Sequence, residues 1–149
     1  MCIRDSIVYD GLLLSLIVSA VFAGVLWLVP QPMFPSGEYS RIDRLVVLAI
    51  PAIALTEILL AAQAYKFDIA TTVRSRAIVE PWAISILALL FYYQIPDEGL
   101  MLAFLASVYA ALLTALWPFL RTYGLPKGWL PHPVTMGRIV VRGLSLIHI

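Results

Sequence analysis

Apolar residues run along this chain in four long stretches, with the charges gathered in short clusters between them. Gly11 to Gly37 carries no charge, and neither does Gly99 to Leu120. A hydrocarbon core about 30 Å thick takes roughly 20 apolar residues to cross. The pattern predicts helices over about 7–29, 42–65, 76–95 and 100–120. Helices are required because the bilayer core offers no water to unpaired backbone groups. Pro30-Gln31-Pro32 ends the first, with Trp27 near the interface its ring favours. In the third, the uncharged stretch Trp82 to Ile95 is short. It spans only if the turn with Ala77 and Glu80 is included, and Pro96-Asp97-Glu98-Gly99 then turns the chain.

Composition agrees with this pattern. Apolar residues are 62% of 149 and charged residues 13%, against about 25% charged in soluble domains. The expected fold class is therefore an all-α membrane protein with four transmembrane helices in two hairpins. A cleaved leader is a poor reading of the first stretch, because Asp5 and Asp10 offset Arg4 and no small-x-small site precedes a soluble domain. Cys2 is the only cysteine, so no internal disulfide can form.

Lys and Arg orient the spans. Lys66, Arg74 and Arg76 fall between the second and third helices, and Arg121, Lys127, Arg138 and Arg142 follow the fourth. Only Arg41 and Arg44 lie between the first two, and none lies in the Asp97-Glu98 turn. Positive charge stays inside, which predicts both natural ends in the cytoplasm. Two rows of small residues at four-residue spacing, Ser15-Ser19-Ala23 and Ala103-Ser107-Ala111-Ala115, predict close helix packing.

Glu57 is the most informative position, midway along the second helix. A carboxylate at bilayer depth costs at least roughly 2.5–3.5 kcal/mol, so such residues face protein or a water-filled path. Ala54, Ala61 and Ala64 share its face, where a neighbour can pack, while Leu48, Leu55 and Leu59 form a face suited to lipid. Pro51 removes the bond to the carbonyl of Val47 and is expected to bend the helix before Glu57. The structural alternative is a Glu57 that only fixes packing, through Gln63 or a helix outside this segment. The second constellation is Arg74 to Trp82. Arg76 and Glu80 are four apart and can pair along a helix. The stretch reads either as a positive-inside anchor or as a contact for an anionic headgroup, which Arg grips with a planar donor fork. Glu57, Arg74, Arg76 and Glu80 are the candidate pathway residues.

No nucleophile–base pair, metal-spaced His/Cys cluster or phosphate-binding Gly loop is present in the sequence, so neither catalytic residues nor a cofactor are expected. His132, between two prolines, reads as loop. The stretch from Arg121 to Arg142 mixes basic and apolar residues and suits the inner membrane surface.

The ends, Met1 to Ser6 and Leu144 to Ile149, resemble hexapeptides translated from sequencing-adapter DNA. That implies a natural segment of 7–143, comprising spans over 7–120 and a cytoplasmic linker over 121–143, with Cys2 and His148 given no weight.

Leu45 to Tyr123 resembles the polysaccharide (oligosaccharide) flippases of the multidrug/oligosaccharidyl-lipid/polysaccharide exporter superfamily. The likeness lies in Ala61-Ala62-Gln63-Ala64-Tyr65-Lys66-Phe67 closing one helix and Arg76-Ala77-Ile78-Val79-Glu80-Pro81-Trp82 opening the next. It implies a piece of a bundle of twelve or more helices in the bacterial inner membrane. Its partners would be membrane lipid, an undecaprenyl-pyrophosphate-linked glycan and the remainder of the chain, with no nucleic acid. A multidrug or cation antiporter of the same superfamily is the nearest alternative. An integral membrane enzyme of envelope glycan synthesis would need a large outward catalytic loop, and a small scaffolding protein would need these residues to be the whole gene.

Overall fold

The computed structural model describes residues 3–34, 40, 42–95, 98–125 and 129–147, with side chains described in this set except at 3–5, 140 and 142–147. The ends Met1-Cys2 and His148-Ile149, together with Arg41, Pro96-Asp97, Lys127 and the side chain of Arg142, lie outside what is described. Within it the chain is all helical. Four helices are long and apolar enough to cross a membrane: Ser6–Leu28, Asp43–Tyr65, Ile69–Gln94 and Gly99–Tyr123.

Helix α1 (Ile3–Leu28) stops before Pro30, whose carbonyl closes a turn with the amides of Met33 and Phe34 at 3.0 and 3.1 Å. The next span opens on a reciprocal cap. Ser40 Oγ accepts from the amides of Ile42 and Asp43 (3.0 and 3.2 Å), and Asp43 Oδ2 accepts from the Ser40 amide at 2.9 Å. A 3-10 turn over Asp43–Leu48 follows, and at Ala49 it widens into α2 (Ala49–Tyr65). Pro51 falls in the first turn of α2, just after the change of pitch.

Phe67, at φ +63°, reverses the chain. The amides of Phe67 and Asp68 close α2 onto the carbonyls of Ala64 and Gln63 at 2.9 and 3.0 Å. Asp68 then starts the third span about two turns before the expected Arg76. Its carboxylate accepts from the Thr71 amide at 3.3 Å and the Thr71 hydroxyl at 2.6 Å. The span runs through α3 (Ile69–Thr72), a wider π segment (Val73–Val79) and α4 (Glu80–Gln94). Arg74 and Arg76 therefore belong to the span rather than to a loop. This corrects the 76–95 boundary and removes two charges from the loop count used above.

Helix α5 (Gly99–Tyr123) is central, in contact with α2, α4 and the π segment. Its row Ala103, Ser107, Ala111 and Ala115 is buried throughout, as is Phe119. Two partners reach its backbone there: Gln63 Nε2 donates to the Ala115 carbonyl at 2.7 Å, and Ser75 Oγ to the Ala111 carbonyl at 3.0 Å. On α1, Ser19 and Ala23 of the other small row are buried and Ser15 half-buried. Near its start Tyr9 and Asp10 are also buried, while the opposite side of α1 is an exposed apolar face that includes Ile17, Val21 and Phe22.

The expected facing of α2 is corrected. Leu59, assigned to a lipid-facing side, is buried against α5, because the inward face of α2 is Ala52, Thr56, Leu59, Leu60 and Gln63. The Ala61–Ala64 side that carries Glu57 is exposed instead. Residues Pro133–Ile147, which begin within the stretch expected to be a linker, form α6, which packs on α1.

The α4–α5 turn depends on Gly99. A Cβ there would stand 2.8 Å from both the Cβ and the carbonyl oxygen of Phe91. Gly99→Ala is expected to lower stability by about 1–3 kcal/mol through overpacking. Gly11→Ala, with no atom within 4 Å of the added methyl, should be close to neutral. Thermal unfolding of both variants in detergent checks the contrast.

Candidate functional site

The π segment is the local device that builds the site. Pro81 has no amide to give to the carbonyl of Ala77, so the α-helical ladder is broken one turn earlier. The Glu80 amide bonds instead to the Ser75 carbonyl, five residues back. Such wide turns recur at functional positions. Here the segment turns Ser75 onto α5 and Arg76 toward α2.

Arg76 stands between two carboxylates. Its Nη2 donates to Glu57 Oε1, and its Nη1 donates to Glu80 Oε2 at 2.6 Å. Glu57 and Arg76 lie at the same depth, roughly 10–14 Å along their helices from the Lys66–Asp68 turn. The pair expected along one helix, Arg76 with Glu80, is thus joined by a contact between helices. Gln63, weighed as a partner for Glu57, is committed to the Ala115 carbonyl instead. Arg74 is exposed and is not brought into the group.

The three side chains line a cleft of about 620 Å³ with Pro81, Ile84, Phe104 and Ser107. The side chains of Arg76 and Glu80 are mostly covered (28% and 25% exposed), whereas that of Glu57 is 61% exposed. The cluster holds two carboxylates against one guanidinium. Its one donor group stands in the middle with an acceptor on either side, and it is open at Glu57.

The chain matches no family model, no curated protein and no solved structure. The chemistry of the cluster is therefore read from its own geometry.

One residue of consequence was missed in the sequence. Asp10 is wholly buried, and its Oδ1 accepts from Trp129 Nε1 at 3.1 Å and from the His132 amide at 3.4 Å. Reading Asp10 only as an offset to Arg4 hid it. The available signal was a carboxylate one helical turn into an apolar span, facing a Trp in a segment that returns to the same end. No group of three or more His, Cys, Asp or Glu suited to a metal occurs among the described residues.

Removing the guanidinium leaves Glu57 and Glu80 without a counter-charge. Arg76→Leu is expected to cost more in folded yield than Glu57→Gln, and neutralising both carboxylates in the Arg76→Leu background should restore part of the loss. Double-mutant cycles on unfolding in detergent should give coupling energies of about 0.5–3 kcal/mol for the two pairs.

Proposed function

We propose that this chain is part of a bacterial inner-membrane transporter that moves lipid-linked oligosaccharide or polysaccharide units across the bilayer. The observation that carries the reading is the Glu57–Arg76–Glu80 cluster, held at membrane depth on a side the four helices leave open. Facing lipid, Glu57 would carry the cost of an intramembrane charge, at least roughly 2.5–3.5 kcal/mol. Further helices covering that side remove the cost and turn the cleft into a polar path. This argues for a larger bundle around the four spans. The resemblance of Leu45 to Tyr123 to oligosaccharide flippases supplies the cargo class.

In such a path the hydroxyls of a glycan exchange hydrogen bonds with the carboxylates and with Ser107, while its lipid tail stays among the exposed apolar faces. Arg74, exposed two residues before Arg76 on the same span, suits an anionic phosphate linkage. The excess of carboxylate over guanidinium also favours a second reading, cation coupling or cation exchange through Glu57, because an unneutralised carboxylate is the ordinary carrier of a proton or small cation in a membrane path.

Two measurements test the proposal. In the full reading frame that contains this chain, Glu57→Gln should lower surface glycan in an export-deficient host about tenfold, equivalent to roughly 1.4 kcal/mol on the limiting barrier, with membrane insertion unchanged. Unchanged glycan together with lost cation-dependent drug efflux would replace the flippase reading with the antiporter one. For orientation, a cysteine at Lys66 should react with an impermeant thiol reagent only from the cytoplasmic side, and one at Glu98 only from the outside.

A further inference from the structure

A second polar cleft lies far from the ion cluster, between the first turns of α1 and helix α6. It measures about 390 Å³ and is lined by Asp10, His132, Thr135, Arg138 and Ile139, among others. Asp10 is 0% exposed, and its Oδ2 has no hydrogen-bond partner among the described residues. A buried carboxylate oxygen without a donor is costly, so the site is incomplete as it stands. Around it the chemistry is of the opposite kind. Arg138 and His132 are exposed, and Arg138 pairs with no described residue. One ligand that answers both features has a phosphate for Arg138 and Thr135 and a hydrogen-bearing ammonium for Asp10.

An apolar groove adjoins the cleft. Tyr9, Leu12, Leu16, Leu116, Phe119 and Trp129 line about 340 Å³ of nearly unbroken hydrocarbon surface between α1, α2 and α5. Tyr9 is the chain neighbour of Asp10, and Trp129 is its hydrogen-bond donor, so groove and cleft share a wall. On helix α6 the exposed Val134 and Val141 flank Arg138 on one face, so the guanidinium at the cleft stands among apolar side chains.

We infer that the cleft and groove together bind one aminophospholipid, with the phosphate on Arg138 and Thr135, the primary ammonium on Asp10 Oδ2 and an acyl chain along Tyr9, Leu12 and Trp129. The lipid holds α6 against α1. This inference does not depend on the transport reading, because none of its residues belongs to the Glu57 cluster.

Native mass spectrometry of the purified chain, with phosphatidylethanolamine, phosphatidylglycerol or phosphatidylcholine added in turn, tests it. Phosphatidylethanolamine should be retained about tenfold over the other two, since one lacks an ammonium and the other's ammonium carries no hydrogen to donate. Asp10→Asn keeps an acceptor for Trp129, and it should abolish the preference over phosphatidylglycerol while binding persists. Arg138→Ala alters only an exposed side chain and should weaken retention of both lipids. Equal retention of all three lipids, or an unchanged preference in Asp10→Asn, would overturn the assignment. Soluble phosphoethanolamine displacing the lipid at equal concentration would overturn the place given to the acyl groove.

Discussion

Backbone-to-backbone closeness along α5 is the constraint on which the rest of this fold depends. Between helices in lipid there is little hydrophobic drive, and association rests on van der Waals contact and on polar groups that find partners. Ala103, Ser107, Ala111 and Ala115 keep one side of α5 nearly bare, which brings α2 and the π segment close enough for two short reaches. Gln63 and Ser75 end on consecutive carbonyls of that row, Ala115 and Ala111. A larger residue at either position would push these donors out of range and leave a buried amide or hydroxyl unpaired.

That packing also fixes where charge can go. With Ser75 held on α5, its neighbour Arg76 is turned to the α2 side, and the broken ladder before Pro81 sets the angle. Glu57 then has a partner across the helices and Glu80 one along the helix. The cluster follows from the packing of a serine, a missing proline amide and one extra residue in a turn.

The four spans were legible because length and hydropathy in a membrane leave one structural solution. The row on α5 was legible for a similar reason, as its period alone reveals a close-packing face. The start of the third span was not read correctly, since Arg74 and Arg76 look like loop charges in a count of Lys and Arg. The signal that outweighs them is Asp68 three residues before Thr71, a cap that needs no knowledge of tertiary structure. Glu57, Arg76 and Glu80 were each picked out, but the contact between Glu57 and Arg76 was not. It depends on the direction given by the π turn, which periodicity does not encode. Asp10 was missed because its donors, Trp129 and the His132 amide, lie more than a hundred positions away in the chain.

That separation has a consequence for how the protein is made. Tyr9 donates to the Gly124 carbonyl at 2.6 Å across 115 positions, and Trp129 reaches Asp10 across 119. At about 5–20 residues per second, roughly 6–24 s pass between synthesis of Asp10 and arrival of its partner. Through that interval α1 can pack on α2, but the carboxylate of Asp10 and the phenol of Tyr9 wait for partners made after the last span. The first helix inserted thus has one end that is among the last parts completed, and whatever shields Asp10 meanwhile, whether headgroup, water or insertion machinery, acts as its temporary Trp129.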